Sequence, residues 1–77
     1  MRLKNMKIGG RAIITALNAA EKIYRHKLIS MGLIPGTELF VSRKAPLGDP
    51  IEVIVRGFAL SLRKEEADIL ELQEIIA

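Results

Sequence analysis

No cysteine occurs among the 77 residues, which removes both the disulfide staple and the thiolate metal ligand and fits a reducing compartment. Aromatic residues are nearly as scarce, at 4%: Tyr24, Phe40 and Phe58. The single histidine, His26, has only Lys22 and Ser30 as helical neighbours, whereas a transition-metal site gathers three or four ligands, chiefly His and Cys. It reads as a solvated helix residue. No apolar run approaches the ~20 residues of a membrane helix. Met1–Ile8 alternates basic and apolar residues and lacks the apolar centre of a signal peptide. The expected location is the cytoplasm.

Catalytic constellations are missing as well. Ser30, Ser42 and Ser61 have one histidine to share, a poor start for nucleophilic catalysis. Gly9-Gly10 lacks the downstream Gly-Lys-Ser/Thr of a phosphate-cradling loop. Glu65, Glu66 and Asp68 read as a solvated turn beside Arg63 and Lys64, because acid–base work needs a cleft that nothing here suggests. Asp49 and Glu52 are a chance-level pair for a hard cation. No catalytic residue, cofactor or metal ligand is assigned, and the chain reads as a non-enzyme.

What is present is an apolar fraction of 49%, enough for one small folded domain spanning 1–77. Net charge is +3, unevenly spread: residues 1–44 carry +7 and residues 45–77 carry −4. The plain account is that the two halves attract when folded together. The functional account is a basic surface for RNA or an acidic partner.

The pattern along the chain is mainly β. After the Gly9-Gly10 turn, GRAIITAL is rich in β-branched residues and predicts a first strand. Asn18 and Glu21 have the spacing of a capping box. Ala20, Tyr24, Leu28 and Met31 then mark one face of a helix, with Glu21 and Arg25 as an i,i+4 pair and Gly32 as its stop. Ile-Pro-Gly-Thr (34–37) suits a type II turn. TELFVSR, IEVIVR and FALSLR predict three strands: Leu39 and Val41 oppose Phe40, while Ile51, Val53 and Val55 alternate with Glu52, Ile54 and Arg56. Phe58, Leu60 and Leu62 share a face. KEEAD predicts one tight helical turn, and ILELQEI a last strand. The expected fold is a small SH3-like β-barrel of about five strands, with one α-helix between the first two and a helical turn before the last. Closure of the sheet is expected to remove most exposed edges.

Ala45–Pro50, APLGDP, is more than a hairpin needs, since two turn residues suffice. Pro46 and Pro50 restrict φ, Gly48 supplies freedom between them, and Asp49 can accept from amides of its own loop. A stiff loop binds at a lower ordering cost. Leu47 is then either an apolar anchor offered to a partner or a cap folded back over one end of the barrel. Leu28 and Met31 continue the helix stripe into the core, leaving Leu33 and Ile34 freer to make surface contacts.

Three stretches carry a resemblance: YRHKLISMGLIPGTELFV (24–41), RKAPLGDPIEVIVRG (43–57) and LSLRKEEADILEL (60–72). Leu28, Met31, Gly32, Leu33, Pro35 and Gly36, then Ala45 through Pro50, then Leu62, Arg63 and Lys64 follow the pattern of the FeoA family, the ferrous iron transport protein A group. MGLIPG followed at this distance by APLGDP is highly specific. The opening Met1–Ile8 is shorter than the segment found in many members. No DNA-binding helices accompany the domain, so it resembles the stand-alone form rather than the repressor-fused one.

The resemblance implies an SH3-like barrel and, as partner, the cytoplasmic GTPase domain of a FeoB-type ferrous iron transporter, with no nucleic acid and with membrane contact only through the transporter. The expected partner-binding residues are Leu33, Ile34, Pro35, Pro46, Leu47, Gly48 and Asp49, and weak homo-oligomerisation through apolar loop tips is compatible with them. The alternative is an RNA-binding or translation-associated β-barrel using the basic N-terminal half. A Pro-rich-peptide groove would want more aromatics than three. The RNA alternative predicts filter retention of RNA that falls steeply with salt as counterions are released; absence of salt-sensitive retention removes it.

Overall fold

A computed structural model describes residues 1–18 and 22–76. A 3₁₀ turn, Leu3–Asn5, leads into β1 (Arg11–Leu17), α1 (Lys22–Ser30), β2 (Glu38–Lys44), β3 (Ile51–Val55), β4 (Phe58–Leu62), α2 (Lys64–Ala67) and β5 (Leu70–Ile75). The strands form one antiparallel sheet in the order β4-β3-β2-β1-β5. This is the expected SH3-like succession of elements. The expected capping box of Asn18 and Glu21, the Ala20 position and the Glu21–Arg25 pair involve residues outside the described ones.

Period-two alternation decides the faces. Ala12 and Ile14, Leu39 and Val41, Ile51, Val53 and Val55, Leu62, and Leu70 and Leu72 are all buried, whereas Arg11, Glu38 and Phe40 point outward. Register places Ile51 opposite Leu62, Val53 opposite Leu60 and Val55 opposite Phe58, so Phe58, Leu60 and Leu62 do share the inner face. Phe58 sits where that face runs out and stays 73% exposed. Irregularities between Ile14 and Ala16 and between Val41 and Arg43 bend β1 and β2.

Two features go beyond the sequence expectations. Leu3 and Met6 lie fully within the core, although the opening segment reads as an alternation of basic and apolar residues. Their spacing of three, matched to the 3₁₀ turn, is the signal that marks them. The second feature is the sheet ends. β4 and β5 do not pair with each other, so two edges remain where closure was expected to remove most exposed edges.

α1 packs on the core through Leu28, with Tyr24 and Met31 beside it. Gly32 has φ +88°, a conformation that favours glycine. The amide of Leu33 donates to the Leu28 carbonyl at 2.9 Å and that of Gly32 to Ile29 at 3.0 Å. This is a Schellman closure, in which the residue after the glycine covers the last helical turn. The surface role expected for Leu33 is therefore corrected: both Leu33 and Leu28 are 0% exposed.

α1 is fastened to α2 by Lys27 and Glu66. Glu66 is 3% exposed, and its Oε1 also accepts from the Arg63 amide at 2.9 Å. Burial alone would raise this carboxyl's pKa, but the Lys27 ammonium, the Arg63 amide and the positive charges of both residues outweigh it. The net direction is down from the ordinary glutamate value. A depressed folded-state pKa stabilises fully above the unfolded value of about 4.3 and is lost as pH falls through the lower folded value. Urea midpoints measured from pH 7 to pH 3 should fall on the acid side, and Glu66→Gln should flatten that fall. Lys27→Met should cost about 1–3 kcal/mol at pH 7, because the carboxylate it leaves behind is buried.

Candidate functional site

The β2–β3 loop is built to hold one shape. The Gly48 amide donates to the Ala45 carbonyl at 2.7 Å, and the Ala45 amide to the Pro50 carbonyl at 3.0 Å. Pro46 thus occupies the second position of the turn, where its fixed φ is favourable. Asp49, expected to accept from amides of its own loop, instead takes the Lys64 amide at 3.0 Å. It thereby satisfies one of the free donors at the start of α2 and pins the loop to that helix. At the tip, Leu47 is 97% exposed. The fold-back alternative is excluded, and the side chain stands in solvent. Below it is an open hollow of about 270 Å³, bordered by Lys4, Lys44, Lys64 and Asp68 among others. The Lys44 ammonium donates to the Lys4 carbonyl at 3.3 Å across one side of it.

The Ile34–Gly36 turn is equally constrained. The Thr37 amide donates to the Ile34 carbonyl at 3.1 Å, and Gly36 at φ +92° takes the third position, as a type II turn requires. Gly36 and Thr37 also exchange hydrogen bonds with Ile14 of β1, at 2.7 and 2.9 Å. Ile34 is 38% exposed, and Pro35 and Gly36 are exposed. Arg56, from the β3–β4 turn, borders a separate hollow beside Ile34, Pro35 and Gly36.

The fold does not bring these two turns together. Ile34–Gly36 precedes β2 and Ala45–Pro50 follows it, and a strand of seven residues at ~3.3 Å each separates its ends by roughly 20 Å. Of the expected contact residues, Pro46, Leu47, Gly48 and Asp49 form one exposed group, Ile34 and Pro35 form a second, and Leu33 belongs to neither. What joins the groups is β4, which sequence reasoning treated only as a strand. It starts beside Arg56 and ends opposite Ile51, next to the Asp49–Pro50 corner.

The aromatic residues do not form a platform. Tyr24 packs against the core, Phe40 is 39% and Phe58 73% exposed, and they sit on opposite faces of the sheet. Among the described residues no three His, Cys, Asp or Glu side chains gather as a metal site would require. No described helix is long and apolar enough to cross a membrane.

Comparison with known proteins adds the following. The family model described as the FeoA domain matches residues 1–74. The Fe(2+) transport protein A/Fe(2+) transporter FeoB fusion protein of Porphyromonas gingivalis is 31% identical over 75 residues, which cover 97% of this chain but only 9% of that one. The solution structure of an FeoA protein from Chlorobium tepidum is 42% identical, covers 99% of this chain and 71% of its own, and superposes with a TM-score of 0.87. The zinc complex of Stenotrophomonas maltophilia FeoA, described as a prokaryotic SH3 domain protein, is 24% identical with a TM-score of 0.82, covering 95% and 89% of the two chains. That likeness establishes the SH3-like fold.

The exposure contrast between two leucines gives a direct check. Leu33→Ala should lower unfolding free energy by about 2–5 kcal/mol, whereas Leu47→Ala should stay within about 0.5 kcal/mol of the parent. Urea unfolding of both variants measures the difference.

Proposed function

The chain belongs to the FeoA family, and from that premise we propose that it is a small cytoplasmic accessory of ferrous iron uptake, acting by contact with the GTPase region of a FeoB-type transporter rather than by catalysis. The observation that carries the reading is the Porphyromonas gingivalis relative, in which a segment 31% identical to this chain is continuous with a transporter named FeoB. A covalent link raises the effective concentration of two parts that work in contact. The same contact made between separate chains requires a preorganised surface.

The geometry supports that reading. Leu47 is held out at 97% exposure by a loop whose turn, prolines and Asp49 tether are all in place without a partner. Little ordering entropy remains to be lost on docking, and an apolar side chain so presented gains most by entering a pocket. The contact is centred on Pro46, Leu47, Gly48 and Asp49. Ile34 and Pro35, roughly 20 Å away along β2, form its second end. The protein in this reading biases the transporter's nucleotide state or assembly.

Calorimetric titration of this chain into the cytoplasmic region of its FeoB-type partner tests it, with GDP, with a GTP analogue and without nucleotide. The expected outcome is binding that depends on nucleotide, weakened about tenfold by a folded Leu47→Ala and less by Ile34→Ala. No binding in any nucleotide state overturns the contact with that region.

A further inference from the structure

The two edges of the sheet are treated differently. On β5, the Met1 ammonium donates to the Leu72 carbonyl at 3.3 Å, and the Leu72 amide donates to the Met1 carbonyl at 3.0 Å. Beyond that point the strand carries Gln73 and Glu74. A covering segment and a charge are standard ways of blunting an edge. On β4 neither is present. Its residues, Phe58-Ala-Leu-Ser-Leu62, include no charge, no proline and no register shift.

The hydrogen-bond phase of β4 follows from its hairpin. Arg56 at φ +52° and Gly57 at φ +83° make the two-residue type I′ turn, so the closing pair Val55 and Phe58 is hydrogen-bonded. The pairs then alternate. Val53–Leu60 and Ile51–Leu62 are bonded to each other, while Ala59 and Ser61 direct their N–H and C=O groups away from β3. Both residues are exposed. Among the described residues no strand pairs with that side.

We propose that the outer edge of β4 is a docking line for an extended segment of a partner, neutral in the middle and acidic at its ends, added as a sixth strand through Ala59 and Ser61. The proposal rests on the reading of the chain as a docking protein and names the mode of contact. Its edge runs from the Arg56 and Ile34 turn to the Asp49–Pro50 corner, so a segment lying along it meets both exposed groups that β2 holds apart.

Charge selects the occupant. Arg56 stands at one end of the line, and Arg63 and Lys64 stand at the other. Near Ser61 the edge faces a cleft of about 400 Å³ lined by Lys27, Asp49, Pro50, Ser61, Arg63 and Glu66. There Glu66 is neutralised by Lys27, while Asp49 keeps its charge and accepts the Lys64 amide, so Arg63 is the cation the cleft offers. Acidic flanks on the incoming strand meet Arg56 at one end and Arg63 at the other. A second copy does not fit as well: pairing antiparallel about Leu60 would set Arg56 of each copy opposite Lys64 of the other, and like charges directly opposite destabilise a strand pair.

Two measurements test this together. In the first, the ¹⁵N-labelled chain is titrated with the synthetic peptide Asp-Glu-Val-Thr-Val-Thr-Glu-Asp. The Ala59 and Ser61 amides should shift and exchange at least about tenfold more slowly, while the same peptide with a central proline should move nothing. In the second, Ser61→Pro is titrated into the transporter's cytoplasmic region. Proline is tolerated where an edge N–H faces outward, so the variant should keep its fold, checked by amide dispersion, and lose about tenfold or more in affinity. If the parent and a folded Ser61→Pro bind equally, the edge is excluded and the accessory reading stands. If the parent does not bind that region, the accessory reading fails, and the peptide decides the edge: protection of Ala59 and Ser61 upholds it, and unmoved amides overturn it.

Discussion

The carboxylate of Glu66 lies 3% exposed at the meeting point of four parts of the chain. It takes the Lys27 ammonium from α1 and the amide of Arg63 from the end of β4. The α2 turn that it anchors receives Asp49 from the β2–β3 loop on its first amide. The same turn offers the Asp68 carbonyl to Arg2 at 2.6 Å. A buried pair of this kind adds modest net stability, since desolvation opposes its attraction. Its effect is on arrangement: it holds α1 against α2, the turn on which the loop bearing Leu47 and the N-terminal segment are also fastened.

That arrangement leaves a surface with an uneven distribution of finished and unfinished parts. The β5 edge is covered, the core positions of all five strands are filled, and the last turn of α1 is closed by its own leucine. Leu47, Ile34, Phe58 and the outer groups of β4 are left open. Scattered exposed apolar residues are ordinary on a protein surface. Here Phe58 lies on a strand edge whose hydrogen-bonding groups face solvent, and Leu47 and Ile34 sit on constrained turns. A surface built this way needs little rearrangement if it meets a partner.

Much of the fold is legible in the sequence. Alternation in TELFVS and IEVIV gives the buried faces of β2 and β3, the Pro-Gly pair gives its type II turn, and MGLIPG with APLGDP carries the family. The site is legible only in pieces. Leu33 reads as free for surface contacts because it lies off the helix stripe of Leu28 and Met31, although Gly32 before it is the sign of a closure that turns the next residue inward. Asp49 reads as an acceptor for its own loop because nearby amides are the default donors. Its actual donor lies 15 residues on, and no local pattern announces it.

Backbone periodicity and turn chemistry act over a few residues, and those the amino-acid sequence determined by itself: strand faces, helix stripe, turns and family. Tertiary structure decided how far apart the two turns stand, which leucine is exposed, and which sheet edge is left unpaired. Those outcomes depend on pairing between strands distant in the chain, where register and the order β4-β3-β2-β1-β5, rather than any local preference, set what each residue meets.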